Sequence, residues 1–212
     1  MKKEFKDRTN WYDGFLFEKM MDERLTELFV GPISALVEEG SSVIDIGCGI
    51  GSLALKLSEK CTKVVGIDVS SKMINYAKKR KKNYHNVEFH HLCASLLPEA
   101  FSEKFDYGIM SQIMHETSEE LREEIIEDAK KVTGRLIISD YIAPLPKNMY
   151  GRMIKFVERI AGSEHNRNFK SWLSSGGLDS FISSHGLNAE EVQPYQLGGK
   201  EIGIGKIVKV SY

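Results

Sequence analysis

The stretch Ser42–Leu57, SVIDIGCGIGSLALKL, holds an apolar run, then Gly47, Gly49 and Gly51 spaced by Cys48 and Ile50, then apolar positions at helical spacing. The run predicts a buried strand and the tail a helix with Ser52 at its cap. Glycines this close together cost conformational entropy, so the turn needs a bare backbone. It admits a close ligand, or lets the following helix pack tightly on the sheet.

Working outward, the same alternation repeats. KVVGIDVS is a second strand, with a helix in SSKMINYAKKRKKN capped by Ser70 or Ser71. VEFHHLCA and FDYGIMSQIM are the third and fourth strands, SEELREEIIEDAKKVT a helix, and GRLIISDYI the fifth strand. Strands alternating with helices predict a parallel sheet covered on both faces. Upstream, Phe15 to Phe29 and PISALVEEG read as two helices, the second opened by Pro32. Downstream, a helix is expected from about Asn148 to Ala161, then the polar stretch GSEHNRNFKSW, then a helix in LDSFISSHG. EEVQPYQLG and IGIGKIVKVSY are strands too close together for a parallel crossover, so they pair antiparallel. The chain shows no internal repeat.

Composition narrows the class. The 212 residues are 42% hydrophobic and 28% charged, ordinary for one globular domain. A formal net charge of −1 gives nucleic-acid binding no support. Cys48, Cys61 and Cys93 fit neither a disulfide framework nor the close pairs of a zinc site, so reduced thiols in the cytoplasm are expected. The first residues carry no apolar run behind their basic ones, and no stretch is long enough to span a bilayer. KKRKK at Lys78–Lys82 lies at a helix C-terminus, where cations suit the dipole, and reads as a solvated end. The acidic set from Glu116 to Asp128 reads as the exposed face of its helix.

A glycine turn leaving the first strand lies at the carboxyl edge, where open α/β sheets bind ligands. The dinucleotide pattern G-x-G-x-x-G requires glycine or alanine where Ser52 stands, which disfavours a nicotinamide enzyme. G-x-G-x-G preceded by Asp45 stands instead, and Asp68 ends the second strand, where an acid accepts both hydroxyls of a ribose. With these residues in one βαβ unit, the chain resembles the class I S-adenosylmethionine-dependent methyltransferases. VIDIGCGIG resembles the glycine loop, VVGIDVSSKMINYAKKR the ribose-acid segment and FDYGIMSQIMHE the fourth-strand segment, together from Ser42 to about Ile142. The resemblance implies S-adenosylmethionine as cofactor. It places Gly47, Cys48, Gly49 and Gly51 along its amino-acid half, Asp68 on the ribose, Val69 and Met73 against the adenine, and Ser111 and Gln112 on the cofactor. Many members have an acid before alanine after the third strand; here the pair is Cys93-Ala94, so Ser95 or backbone groups are expected to help hold the adenine. RTNWYDGF resembles the segment that folds over the cofactor, with Tyr12 facing its methionine end.

Methyl transfer from a sulfonium needs alignment, and a base only where the acceptor must lose a proton. His115 falls just beyond the fourth strand and His165 in the polar stretch; each is a candidate base, the alternatives being a loop histidine capping a helix and a solvated loop. Phe15, Glu116, Tyr150 and Asn166 are the candidate acceptor contacts. His90 and His91 point to opposite faces of a strand, and no metal site is expected.

The expected fold is a Rossmann-like three-layer sandwich: a seven-stranded, mostly parallel sheet with an antiparallel last strand. It is read as one domain, with a helical cap (1–40), a cofactor-binding core (41–143), a lid insertion (144–171) and a C-terminal helix and strand pair (172–212). The expected function is methyl transfer to a small-molecule acceptor. RNA or protein methylation and silent cofactor binding are the alternatives, and oligomeric state stays open.

Overall fold

In chain order the strands are β1 (Ser42–Ile46), β2 (Lys63–Asp68), β3 (Val87–His91), β4 (Phe105–Ser111), β5 (Thr133–Tyr141), β6 (Asn188–Leu197) and β7 (Lys200–Ser211). They form one sheet ordered β3-β2-β1-β4-β5-β7-β6. β1 to β5 pair in parallel, and β7 runs antiparallel to both β5 and β6. The structure is a computed structural model that describes residues 5–10, 13–14, 19, 23–81, 84–197 and 199–212. Among these residues no helix is long and apolar enough to cross a membrane.

The helices are α1 (Glu23–Leu36), α2 (Ser52–Leu57), α3 (Ser71–Arg80), α4 (Leu97–Ala100), α5 (Glu119–Val132), α6 (Met149–Ile160), α7 (Ser163–Ser174) and α8 (Gly177–Ser184). Alternate strand residues feed two separate cores. Val43, Val64, Tyr107 and Ile109 pack with Leu53 and Ala54 of α2 and Ile74 and Ala77 of α3. Ile44, Ile46, Val65 and Met110 pack with Ile125, Ile126 and Ala129 of α5 and Trp172 of α7. Both faces being covered is why β1 reads as a continuous apolar run.

Three local expectations change. Where one helix was expected to end at Phe29 and another to open at Pro32, α1 runs unbroken through Pro32. An interior proline costs about 3 kcal/mol. Leu28, Ile33 and Leu36 are all buried, and at roughly 1.5–3 kcal/mol each they outweigh that loss. Ser52 does not cap α2: Gly51, in the left-handed region, holds that position, while Ser52 Oγ and the Ile50 carbonyl both accept from Arg80 Nη1. The polar stretch GSEHNRNFKSW is largely helix, because Asn168, Phe169 and Trp172 fall on one buried face of α7. That helix runs across the 171/172 boundary drawn from sequence.

Candidate functional site

The neighbours of β1 are β2, reached first in sequence, and β4, reached after the chain has turned back across it. That reversal leaves a crevice at the carboxyl ends of β1 and β4. A cavity of about 150 Å³ lies there, lined by Asp45, Gly47, Cys48, Gly49 and Ser111 among others.

The glycines serve different needs. All three have positive φ: 78° at Gly47, 52° at Gly49 and 78° at Gly51. A β-carbon at Gly47 would collide with Ile113, and one at Gly51 with Phe89. One at Gly49 would meet nothing within 4 Å, so its bare backbone faces open space. The N–H groups of Gly47 and Cys48 both donate to the Ile67 carbonyl, which fixes the loop against β2. Cys48, which lines the cavity, has its thiol buried, and that burial raises its pKa well above the usual range.

Asp45 is buried under this loop, and its Oδ2 accepts no hydrogen bond among the described residues. Burial, and then the charge of Asp68, push its pKa up to about 7. An orphaned buried carboxylate oxygen costs free energy unless a ligand supplies the donor. The ammonium of a methionine-type cofactor is such a donor, and the open Gly49 backbone fits the same end. Asp68 is partly solvated and accepts from Gly49 N–H (2.9 Å) and Ser70 N–H (2.8 Å), with lone pairs left for further donors.

The adenine-side residues gather beside Asp68. Met73 is buried in the first turn of α3, which Ser70 caps, and its Sδ accepts from Gly14 N–H (3.3 Å). The Val69 carbonyl accepts from Arg8 N–H at 3.1 Å, and Asp7 accepts from Ser71 N–H and Oγ. The N-terminal segment is thus tied to this edge. Cys93 Sγ lies 3.3 Å from Ser95 Oγ, and Ala94 is buried. Tyr12 and Phe15 lie outside the described residues.

Ser111 and Gln112 reach the cavity from β4. Gln112 sits at φ 61°, strained for a side chain of its size. Its Nε2 donates to the hydroxyl of Tyr195 (2.6 Å), which also lies 2.8 Å from Ser139 Oγ. Tyr195, buried on β6, therefore sets where Gln112 points.

Beyond Gln112 a 3-10 turn, Met114–Glu116, carries both sequence candidates, His115 and Glu116. Asp140, fully buried at the end of β5, accepts from Met114 N–H (3.0 Å) and His115 N–H (3.3 Å) through Oδ2. Its Oδ1 meets His115 Nδ1 at 2.8 Å, so His115 Nε2 faces Glu158 of α6 at 3.7 Å. Glu158 pairs closely with His165 Nε2, while its Oε1 accepts from the Tyr141 hydroxyl. Arg122 donates Nε to the Met114 carbonyl and Nη2 to the Asn168 carbonyl, and Asn168 donates to the Glu116 carbonyl, locking the turn to α7.

Burial works to lower the His115 pKa. The Asp140 charge and hydrogen bond, aided by Glu158 and Glu116, outweigh it and push the pKa up to about 9. Glu116 is the solvent-reached member, its side chain 48% exposed. Partial desolvation raises its pKa; His115 and His165 oppose the rise, while Glu158 and Asp68 add to it. His115 does not cap the next helix; Ser118 accepts from Leu121 N–H there. Tyr150 and Asn166 are half-buried, Tyr150 against the first core, and neither contacts the histidines through a hydrogen bond among the described residues.

The structure thus brings His115, Glu116 and His165 together and adds Asp140, Tyr141 and Glu158, which the sequence reading missed. Two signals pointed to the acids: Asp140 ends a strand at the carboxyl edge, and Glu158 shares the buried face of α6 with Gly151 and Ile154.

The profile of a family described as "Methyltransferase domain" matches residues 37–177. An uncharacterized methyltransferase of Schizosaccharomyces pombe is 32% identical over 138 residues, covering 60% of this chain and 44% of the relative. The demethylmenaquinone methyltransferase of Staphylococcus saprophyticus is 28% identical over 135 residues, covering 59% and 57%. The chain spans about half the length of such curated relatives. Among solved structures, magnesium protoporphyrin IX methyltransferase from Synechocystis with bound S-adenosylhomocysteine superposes with TM-score 0.65 at 18% identity, covering 98% of this chain and 90% of that one. The matched span takes in β1, the glycine loop, β5 and the whole of α7, and on it the chain belongs to the methyltransferase-domain family, the class I S-adenosylmethionine-dependent methyltransferases.

Proposed function

We propose that this chain transfers a methyl group from S-adenosylmethionine to a small-molecule acceptor bound between the Met114–Glu116 turn and α7. The observation that carries the reading is the orphaned Asp45 oxygen beneath an open Gly49 backbone, in a cavity whose far wall, Gln112, stands three residues before His115. When bound, the donor supplies a methyl group made electrophilic by a sulfonium. Asp45 would accept from its ammonium, Asp68 from its ribose hydroxyls, and Val69 and Met73 would flank its adenine, with Ser95 beside Cys93 at the rim.

Alignment of acceptor and methyl is the main contribution asked of the protein. Phe29 and Val30 of α1 line the cavity and help keep water out. Glu116 is the exposed carboxylate of the polar cluster, and it takes the proton from an acceptor that must lose one. His115, clamped by Asp140, positions it from behind. Support for a small acceptor comes from relatives named for demethylmenaquinone and magnesium protoporphyrin IX.

The test uses donor carrying a labelled methyl group and a panel of hydroxylated, amino and thiol small molecules, with RNA and protein as further acceptors. Label in a small-molecule product, with matching S-adenosylhomocysteine, is expected. Label entering only RNA or protein overturns the acceptor class, and absence of donor binding overturns the whole reading.

A further inference from the structure

We propose that His115 Nε2, His165 Nε2 and the Glu158 carboxylate form a binding site for one divalent transition-metal ion beside the acceptor. The three ligand atoms all lie within 4.8 Å of one another, although they come from the turn after β4, from α7 and from α6. A metal with bonds of about 2.0–2.2 Å to imidazole nitrogen and carboxylate oxygen takes the place of the direct contact between His165 Nε2 and Glu158.

Two of the three ligands are also held from behind. His115 Nδ1 is engaged by Asp140, which directs Nε2 inward, and a carboxylate behind a histidine is the usual support of a metal-bound imidazole. Glu158 Oε1 is held by the Tyr141 hydroxyl. Asp140 is itself fixed by three backbone N–H groups and is fully buried. A preformed set of this kind is what a folded metal site requires.

Two imidazoles and one carboxylate suit zinc, cobalt, nickel or iron(II) better than calcium or magnesium, which prefer oxygen ligands. Three protein ligands leave positions free for water or substrate, the arrangement of catalytic sites. Glu116 Oε1, 4.0 Å from His115 Nε2, stands beside those positions. An acceptor hydroxyl bound there becomes more acidic, and its proton passes to the Glu116 carboxylate while its oxygen stays on the metal. This role rests on the proposed methyl transfer, whereas the site itself stands on geometry alone.

The test is equilibrium dialysis of the full, chelator-treated chain against Zn²⁺ and Co²⁺, with bound metal counted by mass spectrometry and the cobalt ligand-field bands recorded. One ion per chain is expected. Glu158→Gln and His165→Asn are each expected to weaken it by about tenfold or more and to abolish the cobalt bands, with Asp140→Asn weakening it less. S-adenosylhomocysteine binding, followed separately by thermal shift, should persist in both ligand variants. His165 lies at the edge of the cluster, so its variant decides the matter even if Glu158→Gln fails to fold. No stoichiometric binding by the parent at micromolar metal, or equal binding by parent and His165→Asn, overturns the site. Donor binding without metal binding removes only this inference; metal binding without donor binding removes only the methyl-transfer reading.

Discussion

Asp45 carries the sharpest consequence of the ligand-free fold. Its pKa rises on folding from 3.8 to about 7, so the native state holds the proton more tightly than the unfolded chain. The stability this lends is fully present below pH 4 and is lost as pH rises through 7. At about 1.4 kcal/mol per pKa unit, the whole effect is at most about 4 kcal/mol. Asp45→Asn should therefore gain stability relative to the parent at pH 8 and match it at pH 4, read by urea unfolding; an unchanged difference between the two pH values would remove Asp45 as the cause. The same variant should bind donor more weakly. In the parent, donor binding near pH 7 should release protons, seen as calorimetric heats that vary with buffer ionisation enthalpy.

The neighbouring glycines separate packing from function. Gly49→Ala incurs only the left-handed strain, about 1–2 kcal/mol, and puts a methyl into the open space proposed for the donor. Gly47→Ala adds a collision with Ile113, worth about 1–3 kcal/mol more. Thermal unfolding should rank Gly47→Ala as the less stable, while calorimetry shows Gly49→Ala losing donor affinity by far more than its stability loss explains. Equal affinity in Gly49→Ala and the parent would mean that nothing approaches that backbone.

Among the elements, α5 connects the site most directly. The acidic set was read as one exposed face, yet Arg122 within it is buried, bonded to the carbonyls of Met114 and Asn168 and stacked over Trp172 at 5.1 Å. Hydrogen bonds from a buried charge are worth about 1.5–3 kcal/mol each. Arg122→Met should cost at least about 2 kcal/mol in urea unfolding and loosen the turn against α7, lowering turnover more than donor affinity. A loss of donor affinity equal to the loss of turnover would place its effect at the cavity instead. α6 shows how one helix divides its faces. Ile154 and Glu158 turn inward, while Met149, Met153, Phe156 and Ile160 are exposed. Its apolar spacing predicted a helix correctly, but spacing does not tell which apolar stripe is buried.

For the molecule as a whole, donor binding selects the native state. At a donor concentration about one hundred times its Kd, the linkage is worth about 2.7 kcal/mol. For a chain of this length that corresponds to a Tm increase of roughly 5–10 °C, measurable by scanning fluorimetry with S-adenosylhomocysteine. No increase at saturating ligand would contradict the fit of Asp45 and Gly49 to the donor.

The run of strands and helices along the chain, the glycine loop and the positions of Asp45 and Asp68 at strand ends were legible because they rest on local rules: apolar runs, helical spacing and the few residues able to turn a backbone through positive φ. The helix at Ser163–Ser174 was not, since only a few apolar residues mark its buried face. The roles of Asp140, Glu158 and Tyr195 were not either, because each depends on a partner far away in the chain. His115 meets Asp140, Glu158 and His165 only once β4, β5, α6 and α7 have closed on one another. By itself the sequence determined the alternation of strands and helices and the glycine loop, because both follow from neighbours in the chain. Only the tertiary structure decided the acceptor end, where separate charges share one small space and each sets the state of the others.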